Sequence, residues 1–220
     1  MNLADYFPVW EKLTPQQRQK LSAAATLRKA TKGTVVHNGS MDCLGLLLLQ
    51  AGQLRACLIS DEGREITVYR LFETDICLFT ASCIMQNIQF EIIIQAEKDS
   101  EFLVIPPGIY KELIEESAPL ANYTNQIMAA RLSEAMWLIE QVMWKSFDKR
   151  LANFLLEETS LEKNTVLNIT HETIANHLGT AREVVTRMLR YFQSEGMVKL
   201  SRGAVEVITP SALEKLSARK

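Results

Sequence analysis

Two short amphipathic segments, separated by a glycine, lie between Thr170 and Phe192. Apolar residues recur at helical spacing on one side of each segment: Ile174, Ala175 and Leu178 in the first, and Val185, Met188, Leu189 and Phe192 in the second. Gly179 stands between the segments, where a sharp turn needs a residue that tolerates a positive φ. This pattern predicts a helix-turn-helix, in which the second helix enters the major groove of DNA.

The opposite face of the second helix and the residues after it support the same interpretation. Five polar residues share that face: Arg182, Glu183, Thr186, Arg187 and Arg190. Their side chains can hydrogen-bond to base edges or to phosphates. The next residues alternate around a turn at 202–203, as a two-stranded wing would, and place three polar side chains over the phosphate backbone: Lys199, Ser201 and Arg202. A helical hairpin with a solvated charged face is the alternative, but it leaves the wing pattern unexplained.

Residues 27–109 have the shorter apolar period of β-strands and frequent turn signals. Runs rich in strand-forming residues occur at Leu46–Leu49, Ile66–Leu71 and Phe90–Ala96. Several short strands at such spacing predict an antiparallel β-barrel or jelly roll. A helix is predicted within residues 8–26, with Thr14 as its N-cap and Pro15 at its first position.

Residues 108–146 return to a helical pattern, with a long helix expected at about 110–146. Its apolar residues are too numerous for one stripe, so the helix needs two partners: the barrel and the same helix of a second subunit. The residues expected in that dimer contact are Leu120, Ile127, Leu138 and Val142. The alternative is a helix buried within one domain. We place a hinge at 147–148, which gives an α+β protein with a barrel and dimerisation helix at 1–147 and a winged helix-turn-helix at 148–220.

Composition excludes several classes of protein. No apolar run approaches the roughly 20 residues that span a bilayer, so no membrane partner is expected. The N-terminus has no signal-peptide pattern, which predicts a cytoplasmic protein. The net charge of −2 means that local placement of basic groups must provide any phosphate contacts.

The residues that could bind metals or perform catalysis are sparse. The four cysteines form no CxxC pair, which predicts free thiols in or near a core, and the three histidines are too scattered for a metal site. His171-Glu172 resembles the start of a zinc-protease H-E-x-x-H motif, but that motif requires a second histidine where Ala175 stands. A metal-dependent enzyme is therefore a remote alternative, and we expect no metal, cofactor or catalytic residue.

The order of barrel, long helix and winged helix resembles the Crp/Fnr superfamily of bacterial transcription regulators over nearly the whole chain. Three segments carry the resemblance, at 47–55, 60–72 and 169–198. Members of that family are homodimers that bind inverted-repeat DNA under the control of an effector in the barrel. The resemblance implies base reading by Arg182, Glu183 and Arg187, with Thr186 as a further contact, and contacts to the backbone or a flanking base by Thr170, His171 and Glu172. Residues 157–164 correspond to the loop with which the family contacts RNA polymerase.

The effector region departs from the cyclic-nucleotide-binding members of that family. Leu78-Phe79 stands near their Gly-Glu pair, and no arginine lies between Arg70 and Arg131 to hold a cyclic phosphate. The N-terminal cysteine cluster of the iron–sulfur members is also missing. We predict a small apolar pocket for an unidentified effector, lined by Phe72, Cys77, Phe79, Cys83 and Phe90.

Three alternatives remain for this region. The same residues would also suit a packed barrel without an effector. Cys77 and Cys83 could make a thiol or redox sensor. Cys77 also lies near the sequence position at which the haem-binding carbon-monoxide sensors have a cysteine ligand. Those proteins have a histidine two residues later, where this chain has Phe79.

Overall fold

The computed structural model describes residues 2–39, 43–84 and 91–218. The α-helices are α1 (Pro15–Ala24), α2 (Pro107–Glu116), α3 (Ala118–Trp144), α4 (Phe147–Glu162), α5 (His171–Leu178), α6 (Arg182–Ser194) and α7 (Pro210–Ala218). The strands are β1 (Thr26–Ala30), β2 (Val35–Asn38), β3 (Leu46–Ala51), β4 (Leu54–Ile59), β5 (Glu65–Leu71), β6 (Ile76–Cys77), β7 (Ile93–Ala96), β8 (Ser100–Ile105), β9 (Val166–Leu167), β10 (Val198–Ser201) and β11 (Ala204–Val207). Short 3-10 helical segments among these residues lie at Leu3–Asp5, Trp10–Lys12 and, interrupted by a kink at Ala81, Phe79–Ile84.

The chain packs as two units. The first runs to Leu58 and again from Val68 to Met136, and the second combines Ile59–Thr67 with the chain from Trp137 onward. The division therefore falls within α3, whereas the sequence predicts it at residue 147. The second unit also takes in the turn between β4 and β5, which the sequence assigns to the barrel.

The first unit is a jelly roll, which confirms the predicted fold class. Two four-stranded sheets have the orders β1-β8-β3-β6 and β2-β7-β4-β5. The pairing of β3 with β8 and that of β4 with β7 are both antiparallel. Side chains from both sheets meet in one apolar cluster that includes Leu47, Leu49, Ala56, Ile94 and Phe102. This cluster is the interior of the sandwich.

Strand β3 is buried on both faces, which explains its run of four leucines. Leu47 and Leu49 belong to the interior of the sandwich. Leu46 and Leu48 point the other way, into a second cluster formed with the N-terminal segment, α1, α2 and the start of α3. A strand covered on both sides has no polar face to expose, so its sequence does not alternate.

The predicted long helix is two helices, and its dimer residues need a correction. Leu120, near the start of α3, is fully buried in the cluster below the first sheet, and Ile127 packs against the same cluster. Both residues therefore belong to the core of the first unit. Of the other two residues, Leu138 is half-buried and Val142 is exposed.

The exposed apolar residues of α3 form a different stripe. Leu132, Met136, Ile139 and Met143 are all exposed, at successive spacings of four, three and four residues. This is the spacing of a two-helix coiled-coil seam. Although α3 has 27 residues, no helix in the described part of the chain is long and apolar enough to cross a membrane.

Besides the predicted helix-turn-helix and wing, the second unit contains α4, β9 and α7. The core of α4, α5, α6 and the wing includes Leu155, Ile174, Leu189 and Val205. Strand β9 extends the wing to a sheet of order β10-β11-β9, and α7 packs against α4. Neither β9 nor α7 is predicted from the sequence.

The segment expected to form the polymerase-contacting loop is mostly helical. Helix α4 continues to Glu162, so most of residues 157–164 form its last turns, and Glu158 is buried. Lys163 is the C-cap of the helix and has a left-handed φ of 49°.

The prediction of four free thiols is wrong for two of them. Cys43 and Cys83 form a disulfide with a Cα–Cα distance of 5.8 Å, within the ordinary range for such bonds. Pairing of β3 with β6 brings the chain before β3 close to the chain after β6. The two cysteines are 40 residues apart, so their spacing gives no sign of this proximity. Cys57 and Cys77 are free and buried, as predicted.

Candidate nucleic-acid interface

Helix α6 separates an apolar face from a charged one. Val185, Leu189 and Phe192 are fully buried at spacings of four and three residues. The charged residues Arg182, Glu183, Arg187 and Arg190 are all exposed. Burial of one face holds the helix against the domain, so the side chains that could read base edges are left accessible.

The turn before α6 depends on glycine. Gly179 ends α5 in the left-handed conformation, with a φ of 64°, and its N–H donates to the carbonyl of Ala175. A β-carbon at this position would stand 2.9 Å from Cδ1 of Ile66 and 3.2 Å from its Cβ. Both the backbone conformation and the space therefore favour glycine.

Side chains from distant parts of the sequence hold this turn. The Arg150 guanidinium donates from Nη1 to the Leu178 carbonyl over 3.0 Å, at the C-terminal end of α5. Ile66 pairs with Leu178 in an isolated antiparallel bridge. The Arg150 guanidinium and the bridge from Ile66 thus both contact Leu178, the last residue of α5.

The buried ring of His177 adds to the same contact. Its Nδ1 lies 2.8 Å from Oγ1 of Thr67, and the ring packs against Phe154 with centroids 5.2 Å apart. The sequence does not identify Arg150, Ile66, Thr67, Phe154 or His177 as residues that support this turn. Thr67 and His177 are 110 residues apart, and no local pattern connects them.

The N-terminal end of α5 joins directly to α6. Thr170 caps α5 by accepting a hydrogen bond from the Thr173 N–H at 3.0 Å. The next residue, His171, has Nδ1 2.8 Å from Oγ1 of Thr186, and that hydroxyl also donates to the Arg182 carbonyl over 2.9 Å. Burial, followed by the charges of Arg182 and Arg190, lowers the pKa of His171 below its usual value.

The wing presents the three predicted side chains. Lys199, Ser201 and Arg202 are all exposed around the β10–β11 turn. The Leu200 N–H donates to Oε1 of Gln193 over 2.9 Å, which ties the wing to the end of α6. Wing and helix are therefore held as parts of one surface.

The predicted interface has an excess of positive charge. Its exposed cations are Arg182, Arg187, Arg190, Lys199 and Arg202. Its exposed carboxylates are those of Glu172 and Glu183. The surface can therefore attract a phosphate backbone although the whole chain is slightly acidic.

The predicted effector-pocket residues that the structure describes are not gathered around one space. Cys77 and Phe79 are buried in the sandwich core, where the Tyr69 hydroxyl lies 3.5 Å from the Cys77 sulfur. Phe72 is exposed, and Cys83 is exposed within its disulfide. Phe90 lies outside the described residues. Among the residues that the structure describes, no group of three or more acidic, histidine or cysteine side chains could hold a metal ion.

A helix-turn-helix with an exposed basic second helix and a basic wing defines a winged-helix DNA-binding protein. Residues 149–216 match the family model of the Crp-like helix-turn-helix domain. The chain is 59% identical, over the part that is matched, to a transcriptional regulator of the Crp/Fnr family from Eubacterium rectale. The match to its crystal structure covers 98% of this chain and 100% of that one, with a TM-score of 0.96.

More distant relatives are also regulators. The chain is 27% identical to the cyclic AMP receptor protein of Thermus thermophilus, over 78% of this chain and 79% of the relative. It is 24% identical to the global nitrogen regulator of Synechococcus elongatus, over 76% and 79%. The chain belongs to the Crp/Fnr family. It is a DNA-binding transcription regulator and not an enzyme.

Proposed function

We propose that this regulator works as a homodimer joined by α3 and reads an inverted-repeat operator with α6. The observation that carries the proposal is the exposed apolar stripe of α3, because four large side chains at coiled-coil spacing require a partner. A second copy supplies an identical stripe along a two-fold axis.

Two-fold symmetry determines the form of the DNA site. The two recognition helices of such a dimer enter successive major grooves, so the half-sites lie about one helical turn apart. Arg182 and Arg187 can each donate two hydrogen bonds to a guanine, and Glu183 can accept one from a cytosine amine. We therefore expect a G·C-containing half-site. Selection from a random DNA library tests this proposal, and recovery of asymmetric or sequence-indifferent sites would contradict it.

The interface makes two kinds of contact that mutation separates. We expect Arg187→Ala to weaken operator binding by about 1–3 kcal/mol and to relax specificity at one base pair, because a bidentate base contact is lost. Arg202→Ala should weaken binding to all sequences alike, since a wing contact to phosphate carries no sequence information. Affinities for the operator and for its single-base variants, measured at one salt concentration, distinguish the two. Equal loss of discrimination in both variants would contradict these roles.

The effector is proposed to be something other than a cyclic nucleotide. Arg55 and Arg70 alternate with core residues of β4 and β5, so their side chains leave the interior of the sandwich. Arg131 is already engaged, with Nη1 2.7 Å from a Glu134 carboxylate oxygen and its guanidinium 4.3 Å from the centre of the Tyr69 ring. A dehydrated cyclic phosphate would therefore meet no available cation among these three, which is costly.

Calorimetric titration tests this directly. We expect no heat of binding when cyclic AMP or cyclic GMP is added at micromolar concentrations. Micromolar affinity for either would contradict the proposal. An apolar effector, a thiol or haem sensor and an effector-free barrel remain the alternatives, and an absorbance spectrum together with mass spectrometry of co-purifying molecules separates them.

We further propose that the regulator acts with RNA polymerase, through the exposed end of α4 and its connection to β9. This follows the resemblance to the family and the exposure of Glu162, Lys163 and Asn164. Because such a regulator works on bacterial DNA, we place it in the cytoplasm. Substitution of these three residues should lower promoter response and leave operator affinity unchanged.

A further inference from the structure

The two hydrogen bonds of the Thr186 hydroxyl together favour one tautomer of the His171 ring. The Thr186 hydroxyl has one hydrogen and lies within bonding distance of two groups, the Arg182 carbonyl at 2.9 Å and Nδ1 of His171 at 2.8 Å. A carbonyl oxygen can only accept. Both contacts are satisfied when the hydroxyl donates to the carbonyl and accepts from an Nδ1–H. The neutral ring then carries its hydrogen on Nδ1 and leaves a lone pair on Nε2.

The position of His171 determines what Nε2 meets. The residue begins α5, the helix that crosses the DNA backbone in a helix-turn-helix, and it follows the N-cap Thr170. Its ring is partly exposed. In the described part of the chain, the bond at Nδ1 is the one hydrogen bond that the ring makes. A phosphate oxygen accepts hydrogen bonds only, so it is repelled by a lone pair on Nε2 and attracted by an Nε2–H.

We infer that His171 contacts a DNA phosphate through Nε2 only when its ring is protonated, so that operator affinity rises as the pH falls. This inference rests on the proposed operator binding, and it adds that the protein takes up a proton at His171 when it binds. Thr186 acts as a positioning residue, because its hydroxyl holds the neutral ring in the form that cannot donate from Nε2. Thr186, which the resemblance places at a base-reading position, thus acts on the phosphate contact of His171.

The charges around the ring determine the direction of the effect. Arg182 and Arg190 face it from α6, and Glu172 follows it on its own helix. In the free protein, burial and the two arginines lower the pKa of His171, which favours the neutral ring. A bound phosphate favours the charged ring and raises this pKa. The complex then holds more protons than the free protein, and affinity increases as the pH falls through the pKa of the complex toward that of the free protein.

The test is the pH dependence of affinity for the selected operator, measured by fluorescence anisotropy at constant ionic strength. Wild-type affinity should fall about 3- to 10-fold between about pH 6 and pH 8, within the limit of tenfold per unit for one proton. His171→Gln should give a flat profile, and His171→Arg a flat profile with affinity at least equal to that of the wild type at the lower pH. His37→Gln, which changes a histidine of the first unit, should keep the wild-type slope.

Thr186→Val separates this proposal from a merely structural role. Without the hydroxyl, the neutral ring can place its hydrogen on Nε2 and donate to phosphate without taking up a proton. The slope should therefore become shallower, whatever the change in absolute affinity. A titration of the His171 ring by NMR, free and bound to DNA, gives the two pKa values directly.

The outcomes are distinct. A flat wild-type profile, or an unchanged slope in His171→Gln, overturns the inference while operator binding stands. Equal ring pKa values in the free and bound protein overturn it as well. Failure of the wild type to bind any selected sequence would instead count against the proposed function.

Discussion

A protein carrying Leu132→Glu and Ile139→Glu should sediment as a monomer at micromolar concentration and lose operator binding. Both residues lie in the exposed stripe of α3. In a two-fold dimer, each glutamate would face a like charge across an apolar seam, and desolvation would add to the repulsion. We expect the affinity for the full operator to fall by at least about 100-fold. A monomer binds one half-site only, so it loses the high effective concentration with which the second recognition helix of a dimer meets the other half-site.

The control is Ser133→Glu, which adds a charge on the same helix at an exposed position beside the stripe. It should remain dimeric and bind the operator normally. Sedimentation velocity and anisotropy on the same samples provide both measurements. A wild-type protein that sediments as a monomer would contradict the proposed dimer, and a charged variant that stays dimeric would show that another surface joins the subunits.

The stripe shows what sequence analysis could and could not determine on α3. The excess of apolar residues indicates more than one apolar stripe, because a helix with one partner needs only one, and α3 has one stripe in the core and another that is exposed. The assignment of residues to faces fails, since Leu120 and Ile127 look as suitable for a seam as Leu132 and Ile139. Only the position of α3 against the first sheet shows that the first pair belongs to the core.

The winged helix, in contrast, could be predicted from the sequence alone. Its signals are local: a capping residue at Thr170, a glycine at 179, apolar spacing on α6 and a turn at Arg202-Gly203. Each determines the structure of its immediate neighbours, so the sequence alone suffices.

Contacts between distant segments could not be predicted. The Cys43–Cys83 disulfide and the contact of Thr67 with His177 each join residues 40 or more apart. Strand pairing and packing create these neighbours, and no periodicity in the sequence marks them. The same limit applies to the effector region, where the predicted residues divide between the sandwich core and the surface.

Gly179→Val should lower the free energy of unfolding of the second unit by about 3 kcal/mol. Part of this loss, about 1–2 kcal/mol, comes from holding a β-branched residue at the left-handed φ of 64°. The rest comes from contact with Ile66, whose Cδ1 would lie 2.9 Å from the new β-carbon. Urea unfolding followed by far-ultraviolet circular dichroism measures the change.

A second substitution separates the two causes. In an Ile66→Ala background the contacts with Cδ1 and Cγ1 disappear, while the backbone strain and the 3.2 Å approach to Cβ remain, so the additional cost of Gly179→Val should shrink toward about 1–2 kcal/mol. Gly179→Asn provides the converse comparison, because asparagine tolerates the left-handed conformation while its β-carbon still meets Ile66. If the cost of the valine were the same with and without Ile66, the start of β5 would not pack against the helix-turn-helix in solution. An unchanged stability in Gly179→Val would mean that the turn before α6 does not need the left-handed conformation.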